Sequence, residues 1–235
     1  KNTYRVFDYV LANPKPDLHL NVTSNFSVDE KSWQRYKGYV TELCEGERIE
    51  HFMQYVSLDT GNHDHAAYIR HGLSPSRLHS YVHKYLTEVP NRNSLTYIIT
   101  MNNLSILGLQ QLLEHVLELR KLYSTEYQRV WFDTPVLRTP SWQSLQILPE
   151  SYVRILENVV KWMKLNRLDE TSDRYDGFKD YEIQRLERDV DWMKKGKKLN
   201  EKYLHDTRAD FYRFFNEYDK RRETDFLATF PQMKD

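Results

Sequence analysis

Apolar positions along this chain follow two alternating rhythms. Short runs rich in β-branched and aromatic residues, Leu18 to Thr23, His51 to Leu58, Leu95 to Met101 and Arg129 to Asp133, predict four strands. Between them apolar residues recur every three or four positions. Tyr4, Phe7, Val10 and Leu11 predict one helix, Trp33, Tyr36, Val40 and Leu43 a second, and Leu78, Val82 and Tyr85 a third. Leu109, Leu112, Leu113, Val116 and Leu119 form the clearest amphipathic stripe. Punctuation agrees with this division. Ser27-Val28-Asp29-Glu30 reads as a capping box with Gly46 as the stop, Ser74-Pro75 as an N-cap with a first-turn proline, and Pro149-Glu150 as a further helix start. Ser144 to Leu148 reads as a short fifth strand piece. Strands that alternate with helices imply parallel neighbours, because a crossover helix returns the chain to the same end of the sheet. Residues 1–150 are therefore expected to form an α/β unit. From about Val153 the pattern is helical only, with a polar break near Asp169 to Gly177, so residues 151–235 are expected to form a helical extension packed on that unit.

Composition narrows the class. At 235 residues the chain can bury a sizeable core, and its 40% hydrophobic content with 7 glycines is that of a globular protein. Lys+Arg and Asp+Glu each number 34, so there is no basic footprint for general nucleic-acid binding. No apolar run approaches the roughly 20 residues of a membrane span, and the expectation is a soluble, cytoplasmic protein. Cys44 is the only cysteine, which excludes an intrachain disulfide and a cysteine-based metal site within this sequence. The sequons at Asn21, Asn25 and Asn103 carry little weight without another sign of secretion. Lys1 falls inside a helical pattern, and the chain is expected to be a segment of a longer protein with elements on its amino side.

The candidate chemistry lies where the second strand ends. Val56-Ser57-Leu58-Asp59-Thr60 passes abruptly from apolar to small polar and acidic residues, and Arg70 follows after a short polar loop. Parallel sheets hold ligands at the carboxyl ends of their strands. Structural roles compete at each position: Asp59 as a cap of the Asp-Thr-Gly turn, Arg70 as a surface ion-pair partner, and Asn25 as a turn former. A second reading takes His63-Asp64-His65, with His71 and Asp59 nearby, as ligands of a divalent metal in a hydrolase. Against it, His-x-His pairs converge on a strand, and these residues fall in a loop. A third reading is a non-enzymatic interaction module, in which Phe211, Tyr212, Phe214, Phe215 and Tyr218, too many for one helical face, cover the sheet or a neighbouring domain.

Several short motifs, in order, resemble one family. Val56-Ser57-Leu58-Asp59 followed by Tyr68-Ile69-Arg70 and Gly72 resembles the fourth strand and loop of radical S-adenosylmethionine (SAM) enzymes, with their SxD strand exit and yxR segment. Thr23-Ser24-Asn25 is similar to the family's TNG strand end, with Phe26 in place of the glycine. Ile98 to Leu107, Pro140 to Pro149, and Phe211 to Pro231 with Asp219-Lys220-Arg221-Arg222 inside it are similar to the branch that carries a twitch-type extension.

That resemblance implies a partial TIM-type barrel with a helical C-terminal extension, lacking its first two strands. It implies that SAM is reductively cleaved at a [4Fe-4S] cluster whose CxxxCxxC ligands, like the family's GGE motif, lie upstream of Lys1. Ser57 would meet the SAM ribose and Arg70 its carboxylate, with Asn25 and Asp59 supporting the site from adjacent strand tips. The partners implied are an electron donor and a peptide or small-molecule substrate. A twitch-type auxiliary cluster would draw its ligands from beyond Asp235.

Overall fold

A computed structural model describes residues 2–90, 92–169 and 171–234. After helix α1 (Asn2–Ala12), the chain alternates β1 (Lys15–Ser24), α2 (Glu30–Glu45), β2 (Ile49–Ser57), α3 (His63–Ile69), α4 (Pro75–Glu88), β3 (Asn93–Ile98), α5 (Leu109–Tyr123) and β4 (Val130–Asp133). The rest is helical: α6 (Glu150–Leu165), α7 (Asp180–Lys195), α8 (Glu201–Arg222) and α9 (Phe226–Thr229). All four expected strands and the helices between them are present, and the fold is α/β.

The four strands pair in chain order, β1-β2-β3-β4, and every pairing is parallel. Successive right-handed crossovers that always step in the same direction place their helices on the same side of the sheet. Burial follows this rule. Phe52, Gln54 and Val56 of β2 are buried, whereas the intervening Met53, Tyr55 and Ser57 are half-exposed, and β4 shows the same alternation. One face is therefore core, and the other is half-open on β2 and β4, although Ser94 and Thr96 of β3 are buried on it. The register carries Ser57 beside Ile98 and Ile98 beside Asp133, so these residues share one level at the carboxyl edge of the half-open face.

The covered face is packed by the residues that set the helical periodicity. Trp33 of α2 is fully buried and stacks on Tyr81 of α4, 4.6 Å between ring centroids, with Phe26 edge-on at 5.1 Å. Burying side chains of this size contributes about 1.5–3 kcal/mol each. Leu109, Leu112, Leu113, Val116 and Leu119 of α5 are all buried against the sheet. Gln54 lies within this apolar layer because its amide is satisfied: Nε2 donates to the Val22 and Tyr55 carbonyls, and Oε1 accepts from the Tyr36 hydroxyl. The hydrophobic core runs without a break across residue 150, taking in Leu156 and Met163 of α6 and Leu186 of α7.

Three local expectations need correction. Helix α2 is capped by Asp29, whose carboxylate accepts from Ser32 N at 2.7 Å, and not by Ser27. The stretch read as a fifth strand forms two 3₁₀ turns, Ser141–Gln143 and Leu145–Ile147. Its alternating Leu145 and Ile147 serve burial in either geometry, and Pro140 and Pro149 keep the segment short. His63 to Ile69, read as loop, is helix α3, opened by Asn62, whose Oδ1 accepts from His65 N at 3.0 Å. No described helix is long and apolar enough to cross a membrane.

Candidate functional site

The exit of β2 is built around one carboxylate. Asp59 is buried, and its Oδ1 accepts from Thr100 N at 2.8 Å, just past the end of β3, and from Arg70 Nη2 at 2.9 Å. Arg70 Nε lies 2.8 Å from Oδ2, close enough for charge pairing although its N–H is not aimed along that line. A single side chain thus ties the β2 exit to the β3 exit and holds a guanidinium. The ion pair anticipated for Arg70 is present, whereas Asp59 does not cap its own turn: its carboxylate reaches across to Thr100 N, and within the turn Asn62 N donates to Thr60 Oγ1 at 3.3 Å. The Arg70 side chain remains 28% exposed against 5% for Asp59, and its Nη1 has no protein partner among the described residues.

Close backbone approach shapes the loop that carries this pair. Gly61 N donates to the Gly108 carbonyl at 2.9 Å, where the loop meets the start of α5. A Cβ on Gly108 would sit 2.0 Å from Thr60 Oγ1, and one on Gly61 2.4 Å from Leu112 N, so only glycine fits at either place. Helix α3 then turns back, and Arg70 lies at its carboxyl end. The helix is clamped from the far end of the chain. Tyr68 donates its hydroxyl to Asp219 Oδ1 of α8 at 2.8 Å, and Tyr218 donates to the Tyr68 carbonyl at 2.8 Å. Asp219 also accepts from Thr224 Oγ1 and Phe226 N, both at 2.7 Å, which fixes the start of α9.

Ser57 ends β2 on the half-open face, and no protein group hydrogen-bonds its hydroxyl among the described residues. Asn25 follows Ser24, which pairs in register with Val56, so it stands beside the β2 tip. Its Oδ1 accepts from Ser27 N at 3.0 Å, a turn of the kind asparagine forms with its own backbone. The next residue, Phe26, has φ +52°, the left-handed conformation that costs glycine nothing; its buried ring against Trp33 offsets the strain. The structure therefore groups Asp59 with Arg70, sets Ser57 two residues before them, and gives Asn25 a local role at the neighbouring tip.

The histidine pair read as a hydrolase metal site is not brought together. His63 and His65 lie two residues apart on a helix and diverge by roughly 200°. His65 is buried and stacks on Phe230 at 4.3 Å, while His63 is exposed and stacks on His79 at 5.2 Å. No group of three or more His, Cys, Asp or Glu side chains among the described residues could hold a metal ion. The aromatic residues of α8 also divide. Phe211 and Phe215 are buried, the latter stacked on Phe226 at 4.9 Å, and Phe214 packs on Trp142 at 4.2 Å over the 3₁₀ turn.

Two further polar arrangements escaped the sequence reading. His79 of α4 and His115 of α5 share a hydrogen bond, Nδ1 to Nε2 at 3.0 Å, and burial pushes both down to about 4, so both rings are neutral near pH 7. The only cue was His79 and His83 one helical turn apart; the partner from α5 leaves none. Asp189, on the buried side of α7, has an Oδ2 with no hydrogen-bond partner among the described residues, and burial pushes its carboxyl up to about 7. Arg185, a turn earlier, pairs instead with Asp133 at the end of β4. Cys44 is buried on α2, where desolvation pushes its thiol up to about 12 and leaves it without thiolate character. Comparisons of this chain with protein-family models, with curated proteins and with solved structures return no match.

Proposed function

We propose that this chain forms the SAM-holding part of a radical SAM enzyme, its singly wound parallel sheet being a segment of a TIM-type barrel. The supporting observation is the β2 exit, where a guanidinium oriented by the buried Asp59 carboxylate keeps its Nη1 edge unbonded among the described residues, and where Ser57, two residues before Asp59, has a hydroxyl without a partner among them. A planar cation held this way is preorganised for a carboxylate, and a serine at a strand tip suits a ribose hydroxyl. Asp59 acts by fixing Arg70 and the β3 exit, and Asn25 by shaping the adjacent turn.

The residues here fit SAM better than they fit a cluster. Cys44, buried and held protonated, offers no iron ligand, so the chain's own role is limited to binding and orientation. SAM, when bound and reduced by one electron at a [4Fe-4S] cluster, supplies a carbon radical that abstracts hydrogen from substrate. Arg70 and Ser57 would hold its amino-acid and ribose portions so that the radical arises in one place, with the half-open face of the sheet toward the substrate.

The test uses the full-length polypeptide, reconstituted anaerobically with iron and sulfide. Dithionite and SAM should yield 5′-deoxyadenosine and methionine, and Arg70→Ala should weaken SAM binding about tenfold or more in equilibrium dialysis. A reconstituted, folded protein that neither binds nor cleaves SAM would overturn the reading.

A further inference from the structure

Helices α4 and α5 meet through a pair of histidines. His79 and His115 are half-buried and face each other, Nδ1 to Nε2 at 3.0 Å, with the rings edge to face and 4.5 Å between centroids. A neutral imidazole carries one N–H and one lone pair, so this contact needs a donor on one ring and an acceptor on the other. One added proton is tolerated, on the outer nitrogen of the donor ring. A second sets two N–H groups and two cations against each other, and the bond is lost.

From each element around the pair a titratable group faces it. On α3, His63 stacks on His79 at 5.2 Å. On α4, His83 lies 6.2 Å from His115 and is bonded through Nδ1 to the Tyr123 hydroxyl of α5 at 2.8 Å. The Tyr97 ring of β3 also lies 6.2 Å from His115. Glu118 of α5 supplies a carboxylate, its Oε2 3.8 Å from His115 Nδ1, but that side chain is 74% exposed and water screens it. Desolvation, with the neighbouring histidines adding to it, therefore holds both rings of the pair at about 4, below the ordinary 6.5. The neutral contact is fully present above about pH 6.5 and is lost as pH falls through about 4.

The far half of α4 has other ties. Tyr85 donates its hydroxyl to the Ser94 carbonyl at 3.2 Å, and the Leu86 carbonyl accepts from Arg129 Nη1 at 3.0 Å. Near the start of α4 the tie to α5 is the histidine pair, and His63 extends it to α3. We infer that His79 and His115 form an acid-sensitive latch, whose double protonation parts the start of α4 from α5 and loosens α3, the helix that ends at Arg70, while the sheet stays folded. The inference stands on the histidine contacts and is independent of the SAM reading.

The test is hydrogen–deuterium exchange of the purified protein at pH 7.5 and pH 5, read by mass spectrometry over residues 63–82 and over the four strands, with the intrinsic exchange rate divided out. Uptake of two protons on opening predicts that protection over 63–82 falls about 100-fold or more in acid, and that the strands change far less. His51 and His65 are also held low by burial, so acid acts at other places and variants must isolate the pair. His115→Gln offers an acceptor to His79 whether or not that ring is charged, and the fall should shrink to about tenfold or less. The double variant His79→Gln with His115→Gln should lose it to within about threefold; if that variant does not fold by circular dichroism, His115→Gln alone decides. An acid response over 63–82 no larger than that of the strands, or one undiminished by His115→Gln, overturns the inference.

Discussion

Two of the arginine–carboxylate pairs, Arg120–Glu182 and Arg70–Asp59, differ in what they leave unsatisfied. Arg120 and Glu182 join α5 to α7 with side chains 0% and 1% exposed, and Arg120 Nη2 lies 2.6 Å from Glu182 Oε1. Arg120 also donates Nε to the Val130 carbonyl and Nη1 to the Gly177 carbonyl, while Glu182 Oε2 accepts from Lys179 N. Nothing in that pair remains for a ligand. Arg70 and Asp59 instead leave a guanidinium edge exposed at a strand tip. Saturation, more than charge or sequence context, separates a pair that holds the fold from one that can hold a ligand.

Breaking the buried pair should have the largest effect. Glu182→Ala strands a buried cation and should cost about 3–5 kcal/mol in urea unfolding, whereas Arg120→Met combined with Glu182→Leu should cost far less than either single change. If the double variant is as damaged as Glu182→Ala, the pair contributes through attraction and not through mutual neutralisation.

Asp189 supplies the missing case, a buried carboxyl with no ion pair among the described residues. Its folded value, about 7, lies above its ordinary 3.8, so the folded protein keeps a proton that the unfolded chain has released. This contribution is therefore fully present below about pH 4 and is lost as pH rises to 7. Asp189→Asn should remove that decline and leave the variant more stable at pH 8 by on the order of 2 kcal/mol. An unchanged slope of stability against pH would show that Asp189 is ionised in the fold.

Smaller effects belong to the open pair. Asp59→Ala removes the acceptor for Thr100 N and should cost about 2 kcal/mol. Arg70→Ala leaves the Asp59 carboxylate with Thr100 N as its donor and should cost less than that by the same unfolding measurement. A loss for Arg70→Ala as large as that for Asp59→Ala would erase the distinction and make the β2 exit another structural tie.

The strands and the larger helices were legible because each repeats its signal over many residues. The β2 to α5 alternation needed only periodicity, and Ser74-Pro75 and Gly46 marked real boundaries. Helix α3 was not legible, because seven residues rich in histidine and alanine carry no apolar stripe long enough to separate helix from loop, and tertiary contacts through Tyr68 supply its order. Asp59 and Arg70 were legible as candidates through a strand exit and a nearby cation, but their bond to one another was not. Nothing in the sequence sets Arg120, Glu182 or Asp189 apart from the other charged residues of their helices. Their partners and their burial are set by packing across 62 residues for the first pair, which no local pattern encodes.

The clamp on α3 also has a timetable. Tyr68 and Asp219 are separated by 151 positions, so until α8 has been synthesised and has packed, the helix that carries Arg70 is held only by contacts nearer in sequence, the Asp59 ion pair among them. The sheet, whose neighbours are consecutive, can assemble as it emerges from the ribosome, with Arg70 still loosely placed. A helix made long after the sheet thus completes the hold on the arginine, and a chain stopped before α8 would carry an assembled sheet with that hold incomplete.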